Sequence, residues 1–165
     1  MGWLIRSVEP ADAEAIRAIY NREVTGSTVT FDMVERTAEE QAAWIADHSG
    51  GHPAVVAVDE TTGQVVGFAS LSPYRPRPAY ATTVEDSVYV RDDQRGNGVG
   101  RALLTEIVRL AAALGYHSII GRIVGDHAAS IALHESCGFT EVGREVEVGR
   151  KHGRWLDVVL MQRML

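Results

Sequence analysis

At 165 residues, 45% hydrophobic and 23% charged, the chain is expected to fold as one domain spanning residues 1–165, with a core of ordinary size. Its net charge of −6 argues against a nucleic-acid partner, whose phosphates need a basic face. No apolar run approaches the roughly 18 residues that cross a bilayer, and the start Met1-Gly-Trp-Leu-Ile-Arg6 lacks the basic and apolar regions of a secretory leader.

The single cysteine, Cys137, excludes an internal disulfide and fits a reducing cytoplasm. All basic residues except Lys151 are arginines, so being an arginine says little by itself about a role.

In chain order, residues 3–8 read as a strand. Pro10-Ala-Asp12 opens a helix whose apolar face is Ala15, Ile16, Ile19 and Tyr20. Residues 25–31 are β-prone but interrupted by glycine, and read as a loop. Thr37-Ala-Glu-Glu40 has the form of a capping box, which starts a helix running to about Asp47. Residues 54–58 and 64–71 read as strands joined by the hairpin signal Glu60-Thr-Thr-Gly63. Three prolines among residues 73–79 exclude regular structure there.

The chain is organised around residues 84–114. A valine-rich strand breaks at Asp92-Asp93 and passes through Arg95-Gly96-Asn97-Gly98-Val99-Gly100-Arg101. It enters a helix with Leu103, Leu104, Ile107, Val108, Ala111 and Leu114 on one face. Converging backbone N–H groups and the positive end of a helix dipole make such a turn an anion cradle. A dinucleotide fingerprint fails, because the third glycine would fall on Arg101 or Leu103, and a P-loop fails for want of Gly-Lys-Ser/Thr.

Beyond this stretch, residues 118–124 form a strand, and residues 126–137 form a helix closed by Gly138. Residues 139–148 and 155–164 end the chain as strands, with residues 150–153 turning between them. The order β-α-α-β-β-β-α-β-α-β-β describes an α/β chain with a mixed sheet of about seven strands flanked by about four helices.

The spacing Arg95-x-x-Gly98-x-Gly100 after Gln94 resembles the acetyl-CoA diphosphate loop of the GNAT N-acetyltransferases, and the element order is similar to the GNAT fold. Four segments resemble the branch that acetylates phosphinothricin and methionine sulfoximine or sulfone. They are Thr25-Gly-Ser-Thr-Val-Thr-Phe31, Arg77-Pro-Ala-Tyr-Ala-Thr-Thr-Val-Glu-Asp-Ser-Val-Tyr-Val90, Ala129-Ser-Ile-Ala-Leu-His-Glu-Ser-Cys-Gly-Phe139 and Lys151-His-Gly-Arg-Trp-Leu-Asp157.

The resemblance implies acetyl-CoA as the co-substrate, with no metal required. It implies that the acetyl group passes directly to the α-amine of a small amino acid analogue through a tetrahedral intermediate. By the same resemblance Glu85 is the expected general base, although a strand glutamate is more often an exposed partner of an arginine. His152 is its rival. In the family pattern the peptide groups of Val88, Tyr89 and Val90 line the cofactor, and the Val90 N–H is the oxyanion donor. His134 could protonate or hydrogen-bond the leaving sulfur, or simply bond a backbone carbonyl. The pattern gives the diphosphate to Arg95 through Arg101. It gives the pantetheine arm to Asp126, His127 and Ser130, with His127 standing where relatives usually carry Asn.

Still by resemblance, Arg75 and Arg77 would grip the acceptor's carboxylate or phosphinate, in a pocket walled by Phe31, Tyr80 and Thr83. Cys137, at a helix C-terminus, is expected to pack and not to attack. Relatives in this branch are commonly homodimers. Two alternatives stay open, namely a GNAT enzyme for another amine (a polyamine, an antibiotic or a peptide N-terminus) and a non-catalytic acyl-CoA sensor.

Overall fold

The computed structural model describes residues 2–165. Its strands are β1 (Trp3–Ser7), β2 (Ala54–Asp59), β3 (Val65–Pro73), β4 (Thr83–Val90), β5 (Ser118–Val124), β6 (Thr140–Lys151) and β7 (Arg154–Met164). They form one seven-stranded sheet in the order β1-β2-β3-β4-β5-β7-β6. Every neighbouring pair is antiparallel except β4 and β5.

Helices α1 (Ala13–Gly26) and α2 (Ala38–Asp47) cover one face, and α3 (Val99–Ala113) and α4 (Ala128–Ser136) cover the other. The alternation of β2 shows why both faces are covered. Val55 and Ala57 pack with Leu103, Leu104 and Ile107 of α3, while Val56 joins Ile16, Ile19 and Val24 of α1 and Phe68 of β3. Successive residues of a strand point to opposite sides, so a run of small apolar residues feeds two cores at once.

The capping box at α2 is present in both directions. The Glu40 N–H donates to Thr37 Oγ1 at 3.1 Å, and the Thr37 N–H donates to Glu40 Oε2 at 2.9 Å. Two of the boundaries that differ from the sequence expectation have a plain local cause. Helix α1 continues through Thr25 and Gly26, because the Thr25 hydroxyl is satisfied within the helix by the Asn21 carbonyl (3.2 Å) and Val24 is buried. The turn expected over residues 150–153 shortens to His152-Gly153, both at positive φ (51° and 73°), because Arg150 and Lys151 stay paired with Trp155 and Arg154. The Arg150 guanidinium lies over the Trp155 ring at 4.6 Å, and the Lys151 ammonium reaches inward to the Thr30 carbonyl at 2.7 Å.

Candidate active site

Strand β4 is paired along its length with β3, from Val84 opposite Pro73 to Val90 opposite Gly67. Its parallel pairing with β5 is much shorter, from Thr83 opposite Ser118 to Asp86 opposite Gly121. Beyond that point β5 follows β7 as far as Val124 opposite Val158, and the two central strands part. The register of β4 with β3 is unbroken, so it is divergence from β5 that opens the sheet.

The peptide groups of Val88 and Val90 face the gap. The Arg91 N–H is bonded to Val66 O on β3 at 2.8 Å, and peptide groups alternate between the two edges of a strand. By the same alternation Tyr89 turns its backbone toward β3, and its ring stacks on Phe68 at 5.2 Å. Its expected cofactor role therefore reduces to forming part of the wall.

The gap opens into a cavity of about 690 Å³. At one end lies the glycine-rich turn. Gly96 and Gly98 have φ of 79° and 90°, in the left-handed region that glycine enters without steric cost. The first hydrogen bond into α3 runs from the Ala102 N–H to Gly98 O at 3.1 Å, so the N–H groups of Val99, Gly100 and Arg101 precede the helical ladder. All three residues line the cavity. Gly100 lets the helix start close to α4, since a Cβ there would lie 3.2 Å from Leu133 Cδ2. Asn97 does not reach the cavity wall.

Arg95 is less available than the sequence implied. Its guanidinium donates to Glu23 Oε1 (2.5 Å) and Val90 O (3.3 Å) and pairs with Asp92 (2.8 Å). It braces the cradle against α1.

At the parting point a buried pair fills the space between the strands. His134 Nε2 lies 2.8 Å from Asp86 Oδ2, and its Nδ1 lies 2.8 Å from Ser130 O. Both partners are acceptors, so the ring that satisfies both is the imidazolium. Burial alone would lower the His134 pKa, but the Asp86 charge and hydrogen bond and the Ser130 carbonyl outweigh it and hold the pKa above its ordinary value. Gly121 makes room for the pair, because a Cβ there would fall 3.0 Å from both Asp86 Oδ1 and His134 Cδ2. His134 lines the cavity with both nitrogens engaged, which corrects its expected role as a donor to sulfur.

Glu85 points to the opposite face of β4 from Asp86 and lines the same cavity. Among the described residues its carboxylate makes no ion pair. Burial raises its pKa; the Arg122 charge opposes the rise and Asp86 adds to it. His127 caps α4 at the wall, and burial lowers its pKa, reinforced by Arg95. Phe31 also lies on the wall, its ring against Gly149, where a Cβ would come within 2.4 Å of Cε2. The segment carrying it is pinned by the bond from Lys151 to Thr30 O and by Tyr20 Oη to Thr30 Oγ1 at 2.9 Å.

Several expected site residues lie elsewhere. His152 is exposed at the tip of the β6–β7 hairpin. Arg75 and Arg77 are exposed outside the cavity wall, with the Arg75 guanidinium 5.0 Å and 5.8 Å from the ring centres of Tyr74 and Tyr80. Tyr80 is 39% exposed, and the Thr83 hydroxyl is bonded to Ser118 Oγ at 2.9 Å, at the closed end of the β4–β5 seam. Asp126 is tied to Arg154 at 2.8 Å and is off the wall.

Sequence reasoning missed Asp86, Arg122, Glu23 and Gln94, which all line the cavity. Gln94 stands next to the quoted loop motif, and its buried Oε1 lacks a hydrogen-bond partner among the described residues. The other three carried no motif of their own.

Comparison with known proteins agrees with this geometry. A family model described as an acetyltransferase (GNAT) domain matches residues 5–160. The L-methionine sulfoximine/L-methionine sulfone acetyltransferase of Pseudomonas paraeruginosa is 42% identical over 159 residues, covering 96% of this chain and 92% of that protein. The solved phosphinothricin acetyltransferase of Sinorhizobium meliloti, in complex with AcCoA, matches at a TM-score of 0.95 and 41% identity, covering 100% of this chain and 89% of that one. A ribosomal-protein-alanine N-acetyltransferase from Brucella melitensis matches at a TM-score of 0.95 and 42% identity, covering 98% of this chain and 99% of that one.

Proposed function

This chain belongs to the GNAT acetyltransferase family, and we propose that it moves an acetyl group from acetyl-CoA to the α-amine of a small amino acid analogue of the phosphinothricin or methionine sulfoximine/sulfone type. One observation carries the reading. A single cavity has open helix amides at one end, and a partly buried carboxylate without an ion-pair partner among the described residues, Glu85, beside the parted strands. The names of the relatives supply the acceptor class.

The residues present fit acetyl-CoA. The Val99, Gly100 and Arg101 amides suit a diphosphate, the orphaned Gln94 Oε1 can accept from a donor, and the Val88 and Val90 peptide groups suit a polar chain lying along the gap. Acetyl-CoA brings an activated acyl group, and the chain supplies the rest. Glu85 takes the proton of the arriving ammonium, directly or through one water. Burial raises its pKa, which makes it a better base than an ordinary surface carboxylate. The outward N–H of Val90 is aimed at developing negative charge on oxygen. The Asp86–His134 pair fixes the floor on which these groups stand. A homodimer acting in the cytoplasm completes the reading, resting on the branch resemblance and on the lone cysteine.

The test is a panel of amino acids with their sulfoximine, sulfone and phosphinate analogues, a polyamine and an alanine-initiated peptide, read by thiol release. Preference for the small analogues supports the reading. Preference for the peptide would favour the activity named in the Brucella protein, and no thiol release with any amine would indicate an acyl-CoA sensor.

A further inference from the structure

A carboxylate that accepts a proton becomes a hydrogen-bond donor, and a site that favours this step needs an acceptor waiting beside it. The strand next to Glu85 carries one. Strand β3 pairs with β4 so that Ser72 stands directly across from Glu85. Paired residues of antiparallel strands share a face, with Cβ atoms about 5 Å apart. Counting alternate residues along each strand, that face is the one on which Phe68 and Tyr89 pack toward α1 and α2.

Ser72 in turn meets His48, the residue that closes α2. The His48 ring stacks on Trp44, with centroids 4.2 Å apart, and its Nδ1 lies 2.7 Å from Trp44 O. A carbonyl only accepts, so Nδ1 carries the proton. Burial lowers the His48 pKa, opposed by the Trp44 bond and Asp47 and assisted by His52 and Arg36. The ring is therefore neutral, and Nε2 is a bare acceptor. Ser72 Oγ lies 3.5 Å from it, a long contact of the kind that tightens when a site fills.

A serine hydroxyl has one proton to give. Given to an ionised carboxylate, it would favour the charged form and weaken the base. With His48 taking that proton, Ser72 offers Glu85 a lone pair, which is of use only once the carboxyl is protonated. The charges that act on Glu85 are Arg122 on β5 and Asp86 beside it on β4; Ser72 adds a neutral group from the third strand.

We propose that Ser72, aligned by His48, is a positioning residue for the base. As the amine is released for attack, an N–H bond of the acceptor ammonium breaks and an O–H bond forms on Glu85. That O–H donates to Ser72 Oγ, while the Ser72 hydroxyl keeps its own proton and points it at His48 Nε2. The inference rests on Glu85 as the base of the proposed function.

The bond exists only with the protonated carboxyl, so its loss should move the acid limb of the kcat/KM profile to lower pH. The profile is measured with the acceptor that the panel identifies. Ser72→Ala should shift the limb down by about half a unit to one unit, the worth of a single hydrogen bond. Ser72→Thr, which keeps the hydroxyl, should leave it in place. His48→Phe keeps a ring on Trp44 but frees the Ser72 proton to turn to the carboxylate, so the limb should fall at least as far. When Ser72 is already alanine, His48→Phe should change nothing more. The calorimetric Kd for acetyl-CoA should be unchanged in every variant, which verifies that each is folded.

An acid limb that stays put in Ser72→Ala, or that shifts alike in Ser72→Ala and Ser72→Thr, overturns the proposal. So does a further shift from His48→Phe in the Ser72→Ala background. Glu85→Gln enzyme that keeps both its turnover and its acid limb overturns the base assignment itself, a result distinct from failure at Ser72.

Discussion

The two halves of β4 have the same partner on one edge and opposite circumstances on the other. From Val84 to Asp86 the strand is paired on both sides, and the Thr83–Ser118 hydroxyl bond locks its start. From Ser87 to Val90 its only strand partner is β3. The closed half works through side chains, because a backbone fixed on both edges holds Glu85 and Asp86 in place on opposite faces. The open half works through its backbone, because peptide groups released from a ladder are free to bond a ligand. A single strand thus supplies a base and then a row of donors and acceptors in register with it.

The sharpest way to break this contrast is at Glu85. Glu85→Gln is expected to cut kcat/KM by about 10²–10⁴-fold, the usual worth of a general base, with the calorimetric Kd for acetyl-CoA unchanged. The base must be ionised, so the activity of the wild-type enzyme should climb with pH through a value above the ordinary carboxylate range, in keeping with the raised pKa of Glu85. A pH–rate profile whose acid limb sits at an ordinary carboxylate value would remove Glu85 from this role.

The next largest effect belongs to Asp86. Removing one partner of a buried ion pair costs about 3–5 kcal/mol, and Asp86→Ala should show it in urea unfolding near pH 6. The pKa of His134 is raised in the folded protein. The stabilisation from this pair is therefore complete below the unfolded value of about 6.5 and is lost as pH rises through the higher folded value. Asp86→Asn should be destabilised most at the acid end of that window and should lack the slope across it.

Smallest is a change in the cradle. Gly98→Ala places a side chain at φ 90°, a strain of about 1–3 kcal/mol, and should weaken acetyl-CoA binding several-fold without altering the pH profile.

Which parts of this were legible in the sequence depends on the range of each interaction. The cradle was readable because strand, glycines and helix are contiguous, and the α2 cap because its partners are Thr37 and Glu40. Asp86 and His134 lie 48 positions apart, and only the register that sets Asp86 opposite Gly121 brings them together. Before that register is known, Asp86 is one more strand carboxylate. Arg122 was hidden for a different reason. In a chain whose basic residues are nearly all arginine, nothing marks it until β5 turns it to the face of Glu85. Arg75 and Arg77 illustrate the opposite case, because a matching motif fixes residue type but not where a proline-rich loop directs it, and in one protomer both are exposed off the cavity wall.

The short parallel seam has one more consequence. Among the described residues it is the only strand pairing between a four-stranded and a three-stranded antiparallel block, and the cavity lies at its unlaced end. A molecule bonded at once to Val88 or Val90 and to the far wall stitches the blocks together where the protein itself does not. The cargo then doubles as a rivet, and saturating acetyl-CoA at 100 times Kd should stabilise the fold by about 2.7 kcal/mol, read as a rise in melting temperature.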